Sequence, residues 1–387
     1  MKILILSASP ESYATKRLAE ECTAKNVESE IINPSDLYAY VSSTTAGHDR
    51  IYQRGEEKSK RIKAKSFDAI IPRVSGKGFD HGAMIVKHLT SNLHTFSTGY
   101  EPGLRACSNK FLTAQILSQA HIRNPKQILA HQPSDYSELI EMLGDFPVIG
   151  KLQRGSLGQG VFILNDALSA STSLNSFQTL GANVILQQKI DSGTPANDIR
   201  IIVIGPETKN VKIHAYKRFS LDSDFRSNYS LSGKGIKVEI TDEERQMAID
   251  AALAIGIGVS GVDIIRDIND NNKPYIIEIN STPGLSGVES ITGNNVAGDI
   301  IQYCIDNYKR KEMLPGGHGT WAKVDKKGMA TNNISVSQDE ANTFFRKYSS
   351  IVRHLQKGGD VKLLSHSYRN QVRTIVTKEQ IVKGYPK

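Results

Sequence analysis

The sequence predicts an α/β chain: an N-terminal α/β unit, two α+β lobes behind it and a small basic C-terminal extension. Three observations carry that prediction. Over residues 1–100, apolar strand-like runs alternate with helical stretches, the pattern of a parallel layer. Between 147 and 164, two short apolar runs flank the segment Gly155-Ser156-Leu157-Gly158-Gln159-Gly160, the organisation of a flap. Between 261 and 280, two strand-like runs flank a polar, turn-rich linker, which reads as a hairpin. The expected boundaries are 1–100 for the first unit, 101–187 and 188–309 for the lobes, and 310–387 for the extension.

In the first unit, 2–7 is a predicted strand, 16–26 a helix, 30–33 a strand, 67–73 a further apolar strand and 80–93 a helix. The span 41–66 is polar and reads as a loop or ragged helix. Residues 109–121 have helical periodicity. Strands are predicted at 147–152, 161–164, 184–190, 198–204 and 211–218. A helix over 241–254 opens with a capping box, Thr241 followed by Glu244. The hairpin follows, and 293–308 is a closing helix. In the extension, 338–356 reads as a basic helix, with short strands at 361–364 and 372–377.

Composition narrows the functional classes. At 387 residues, with 39% hydrophobic and 23% charged residues, the chain is an ordinary globular protein of two or three domains. Its three cysteines, Cys22, Cys107 and Cys304, are far apart, which predicts free thiols in a reducing cytosol and neither a zinc knuckle nor a redox pair. The start of the chain turns polar too quickly for a signal peptide, and the apolar stretch 248–265 contains Asp250 and Asp263, which argues against a membrane span. Residues 310–387 hold 15 basic and 6 acidic residues, against 33 and 34 in the rest. The body is neutral and the tail basic, which suits RNA or an acidic protein surface, or simply a solvated appendage.

The chemistry-bearing residues are sharpest in the hairpin. Side chains alternate along a strand, so Glu278 and Asn280 share a face, and folding brings Asp263 beside Glu278. Adjacent carboxylates repel unless something offsets them, and a hard divalent cation that shares its shell with nucleotide phosphates is suited to that. The glycine segment can turn backbone N–H groups toward phosphate, or be a plain tight turn; it is no Walker loop, because Val161 follows where a lysine is required. Lys151, on the strand before it, suits a phosphate clamp, and Lys110 is a second candidate. Asp198 and Arg200 alternate on one strand face, fit to meet a ribose hydroxyl and an anion, or to form ion pairs between strands. Arg226, Ser227 and Asn228 lie in a polar loop suited to face a phosphate.

In this order the residues resemble the ATP-grasp superfamily, and more closely the RimK-type branch of ribosomal protein S6 glutamate ligases. The segments 67–73 (FDAIIPR), 224–228 (DFRSN) and 278–289 (EINSTPGLSGVE) carry the resemblance to that branch, which spans about residues 1–308. The resemblance implies an ATP-grasp fold behind a pre-ATP-grasp domain, with Lys110 and Lys151 on the phosphates and Asp198 on the ribose. It implies Arg226, Ser227 and Asn228 at the reacting groups, and two magnesium or manganese ions on Asp263, Glu278 and Asn280. Gln187, Gln188 and Lys189 fall at the adenine hinge, where Gln188-Lys189 replaces the family's acidic–aromatic pair. Asn109 stands where the family has aspartate, and Gly99 where it has asparagine. The implied activity is ATP-dependent addition of glutamate to the C-terminal carboxylate of a protein or peptide by a cytoplasmic homo-oligomer, a tetramer in the family. A ligase for another amino acid and a nucleotide-binding protein without turnover are the alternatives.

Overall fold

The computed structural model describes residues 1–41, 50–55, 58, 60–62, 67–92, 95–131, 136–153, 160–220 and 235–309, and the strands 320–324, 330–335, 363–367 and 372–376. The first unit has a four-stranded sheet in which β1 (Lys2–Ser7) lies between β2 (Glu28–Ile32) and β6 (Ala69–Arg73), with β7 (Phe96–Ser97) beyond β6, all parallel. Helix α1 (Tyr13–Ala24) is capped by Ser12, whose side chain accepts from the Thr15 N–H, and buries Leu18 and Cys22 against Ile3, Ile5 and Ile71. Helix α2 (Phe79–Asn92) covers the other face with Ala83, Val86 and Leu89.

The span 41–66 departs from the expected loop. Together with the preceding residues it supplies a small antiparallel sheet of β3 (Leu37–Tyr40), β4 (Arg50–Gln53) and β5 (Lys60–Ile62). Of the side chains described on β3 and β4, only Leu37 and Ile51 are buried, because the ribbon is covered on one face, and so few apolar positions leave no readable alternation.

The second unit begins with α3 (Glu101–Ser108) and α4 (Lys110–Gln119). Asn109 caps α4 by accepting from the Leu112 N–H at 3.1 Å, so the amide that replaces aspartate keeps the capping function. An antiparallel sheet follows in the order β10 (Val161–Leu164), β9 (Val148–Leu152), β11 (Val184–Gln188), β8 (Gln127–Leu129). Helices α5 (Ser137–Leu143) and α6 (Ala167–Thr179) close its core over Val148, Leu164 and Leu186. A Cβ at Gly150 would fall 2.3 Å from the Phe162 ring, so glycine is required beside Lys151 for that ring to cross β9.

The third sheet, of five antiparallel strands, runs β14 (Gly235–Lys237), β13 (Lys212–Phe219), β12 (Asn197–Ile204), β15 (Val259–Asp267), β16 (Lys273–Asn280). The expected capping box at Thr241 and Glu244 opens α7 (Asp242–Ile255), which ends at Gly256 in the left-handed conformation. The single closing helix expected over 293–308 is two helices, α8 (Ser286–Thr292) and α9 (Val296–Asn307), because Gly293 at φ 75° ends the first. Beyond residue 309, β17 (Thr320–Val324), β18 (Ala330–Ser335), β19 (Leu363–Ser367) and β20 (Val372–Val376) pair in the order β18-β17-β19-β20. The helix expected over 338–356 lies outside the described residues. Among the described residues no helix is long and apolar enough to cross a membrane.

Candidate active site

The hairpin forms with Asp263 directly across from Glu278, and Gly261 across from Asn280. A register shift follows Asp263, which opposes Ile264 to Ile276 and leaves Ile277 as the extra residue of a bulge. The bulge changes the local twist where the two carboxylates meet. On the other side of β15, Arg200 of β12 opposes Asp263, and one strand further Arg218 of β13 opposes Asp198. Sheet order therefore gathers Asp198, Arg200, Arg218, Asp263, Glu278 and Asn280 in one band.

Of these, Asp198, Arg218 and Asp263 are nearly inaccessible to solvent. Arg200 donates from Nε to Asp263 Oδ1 at 2.7 Å and from Nη2 to Oδ2 at 2.5 Å. Arg218 grips Asp198 the same way, with Nε to Oδ1 at 2.6 Å and Nη2 to Oδ2, and its Nη2 lies 3.0 Å from Asp263 Oδ2. Asn280 Nδ2 donates to Asp263 Oδ2 at 3.5 Å. Burial opposes ionisation of Asp263, but Arg200 and Arg218 outweigh it and hold that carboxyl below its usual range. At Asp198 burial prevails over Arg218, and nearby Asp263 adds to it, so that carboxyl is lifted above its usual range. Of the two readings open for Asp198 and Arg200, the structure contains the ion pairs between strands.

The cations arrive from the second unit. Lys110, the first residue of α4, brings Nζ to 3.8 Å from Glu278 Oε1, while its backbone N–H donates to the Gln153 carbonyl at 3.1 Å. Lys151 on β9 is 8% exposed. Burial pulls its ammonium down to about 8, with Lys110 acting in the same direction and Glu278 and Asp263 partly offsetting both. Lys110 links the two: its Nζ lies 3.8 Å from Glu278 while its N–H donates to Gln153, two residues after Lys151, so the flap strand and the late hairpin border one site. The Lys151 ammonium has no hydrogen-bond or ion-pair partner among the described residues, which leaves it disposed toward an anion.

At the hinge, Gln187 is buried and its Oε1 has no partner among the described residues, an acceptor left open toward a donor such as an amino group. Gln188 is occupied locally: its N–H donates to the Lys126 carbonyl at 2.9 Å and its Oε1 accepts from the Lys126 N–H at 3.4 Å. Lys189 is half-buried beside it. Gly160 ends the flap at φ +73°, and its carbonyl accepts from the Leu152 N–H at 2.8 Å. Gly155, Ser156, Gly158, Arg226, Ser227 and Asn228 lie outside the described residues.

Arg218 is absent from the set read in the sequence. Its signal was the pattern of β13, where Tyr216 and Arg218 occupy buried positions and Lys217 does not. A charged residue on the buried face of a strand calls for a buried partner, which only the β13–β12 pairing identifies. Among the described residues the site offers a desolvated ammonium with no hydrogen-bond or ion-pair partner, an open amide acceptor at the hinge, and oxygens on Asp263, Glu278 and Asn280 of the kind a hard cation takes.

Residues 107–304 match the RimK-like ATP-grasp domain and residues 1–98 the RimK pre-ATP-grasp domain. The chain is 36% identical over 304 residues to a probable alpha-L-glutamate ligase of Legionella pneumophila strain Corby, covering 78% of this chain and 95% of that protein. It is 34% identical over 307 residues to probable alpha-L-glutamate ligase 2 of Shewanella sp. strain MR-4, covering 79% and 97%. Among solved structures, the fold is similar to the macrocyclase MdnC from Microcystis aeruginosa MRC, bound with precursor peptide MdnA, at a TM-score of 0.60 and 13% identity, covering 79% of this chain and 100% of that one. It is also similar to a RimK domain protein ATP-grasp from Sphaerobacter thermophilus, at a TM-score of 0.56 and 17% identity, covering 78% and 99%. The chain belongs to the RimK-like ATP-grasp family, carries the RimK pre-ATP-grasp domain ahead of it, and is an ATP-dependent ligase.

Proposed function

We propose that the chain adds glutamate to the C-terminal carboxylate of a protein or peptide, at the expense of ATP and by way of an acylphosphate. The observation that carries this reading is the convergence of Lys110 and the desolvated Lys151 on the Glu278–Asp263 pair. The relatives named probable alpha-L-glutamate ligase support glutamate as the amino acid.

A carboxylate does not condense with an amine at neutral pH, because it is anionic and lacks a leaving group. In the proposed sequence, a carboxylate oxygen of the acceptor attacks the γ-phosphorus of ATP and ADP departs. The glutamate amine then attacks the acyl carbon, phosphate leaves, and the amine proton is lost. Divalent cations held by Asp263, Glu278 and Asn280 would neutralise charge along the phosphates. Lys151 contributes a fixed positive charge in a dry setting, where a given charge acts more strongly than in water. Arg200 and Arg218 act as positioning residues that lock Asp263 in its ionised form. Arg226, outside the described residues, is proposed to face the reacting phosphate and carboxylate. The glycine-rich segment 154–159, outside the described residues, is proposed to exclude water from the activated acyl group.

The test is intact-mass spectrometry of an S6-like C-terminal peptide incubated with the protein, ATP, Mg2+ and glutamate. The expected product gains one or more glutamyl residues only when ATP and glutamate are both present. ADP formation that depends on a different amino acid, with no glutamyl product, would overturn the assignment of glutamate.

A further inference from the structure

The segment 67–73 ends in an arginine that the ligase reading has not used. Arg73 is the last residue of β6, level with Ser7 at the end of β1, and so stands at the carboxyl edge of a parallel sheet, the edge where α/β sheets place their ligands. Its Nη1 donates to the Pro283 carbonyl at 2.8 Å. Pro283 lies three residues beyond Asn280 and packs on the strand that carries Asp263: a Cβ built on Gly261 would fall 3.0 Å from Pro283 Cβ and 3.7 Å from Arg200 Cδ. Arg73 thus reaches from the first unit to the rim of the reacting site.

A guanidinium has five N–H donors in a rigid fork, and among the described residues this one makes a single hydrogen bond, to a neutral carbonyl. Burial pulls it down to about 10, and no described acidic group acts in the opposite direction. The other arginines at the site are already matched: Arg200 and Arg218 each hold a carboxylate bidentately. Arg73 as a residue is half-buried. A desolvated guanidinium with most of its donors unpaired among the described residues is the arrangement that selects a planar carboxylate.

We propose that Arg73 binds a carboxylate of the incoming amino acid, one that is not itself phosphorylated, and so orients the amine toward the activated acyl group. This rests on the ligase reading above. The chemistry fits the placement: a carboxylate due for phosphorylation must sit among the metal ligands, whereas Arg73 stands beyond them across the Pro283 turn. Fixing a non-reacting carboxylate there would also keep it away from the phosphate.

The test uses the full chain loaded with a non-hydrolysable ATP analogue and Mg2+, titrated calorimetrically with glutamate, its α-amide and its γ-amide (glutamine). Wild type is expected to prefer glutamate over at least one amide. Arg73→Met is expected to bind the ATP analogue as wild type does, to lose roughly 10–100-fold in glutamate affinity, and to lose the preference for acid over amide. Arg73→Lys should fall between the two. Retention by Arg73→Met of the wild-type preference over both amides would overturn the inference. So would a parallel loss of nucleotide affinity, which marks a structural strut. If glutamate does not bind wild type, the glutamate assignment fails separately, and aspartate, lysine and succinate become the probes. A carboxylate that binds wild type but not Arg73→Met then sustains the inference, and none doing so overturns it.

Discussion

Replacing Arg218 by methionine removes a guanidinium that is 2% exposed and touches two buried carboxylates, Asp198 and Asp263. Methionine fills similar space, so the cost is electrostatic. Two charges lose a shared partner with no water to replace it, and breaking a buried pair from one side costs about 3–5 kcal/mol. The pH dependence has a fixed sign. Asp263 is depressed in the folded protein, so its stabilising contribution is present above the unfolded carboxyl range and is lost as pH falls through its folded value. In Arg218→Met both carboxyls titrate higher, so the folded state gains protons sooner on acidification and the defect shrinks as pH falls. Urea unfolding of the nucleotide-free protein at neutral pH and near pH 5 measures both quantities. A variant within about 1 kcal/mol of wild type at neutral pH, or a pH-independent defect, would refute the buried triad as the brace of the site.

Three further outcomes follow from the same geometry. Lys151, held at about 8 by burial, should take up a proton when nucleotide phosphates bind between about pH 8 and 10. Calorimetric titrations of an ATP analogue in buffers of different ionisation enthalpy should show that uptake in wild type and not in Lys151→Met, and buffer-independent heats in wild type would contradict it. In the free protein the same depressed value makes stability rise with pH across that window, because the unfolded chain binds the extra proton. Glu278→Gln, which keeps the shape of a half-exposed side chain, should leave the unfolding transition unchanged while lowering turnover by about three orders of magnitude; wild-type-like ADP formation would remove Glu278 from the site.

Much of this was legible because strand alternation is local. Glu278 and Asn280 are two residues apart, so their common face follows from the sequence, and the turn-rich linker makes Asp263 their neighbour. Lys151 stood out because it lies on an apolar run just before glycines. What could not be read was sheet order. Arg218 becomes Asp198's partner only because β12 lies between β13 and β15, a non-local pairing that spacing along the chain does not encode. The β3–β5 ribbon was missed because one covered face leaves too few apolar positions to show a period. At Gln188, expected at the adenine hinge, the side chain also accepts from the Lys126 backbone, a contact set by how β8 enters beside β11. The contact of Arg73 stayed hidden because Pro283 lies 210 residues away in the chain.

The account rests on activation of a carboxylate by phosphoryl transfer at the Lys151–Glu278 site, and the direct measurement follows oxygen. An acceptor peptide whose C-terminal carboxylate carries a heavy-oxygen label is incubated with the protein, ATP, Mg2+ and glutamate, and the released phosphate is analysed by mass. Transfer of one labelled oxygen to phosphate for each amide bond formed is the predicted result. Unlabelled phosphate alongside normal ligation would contradict it.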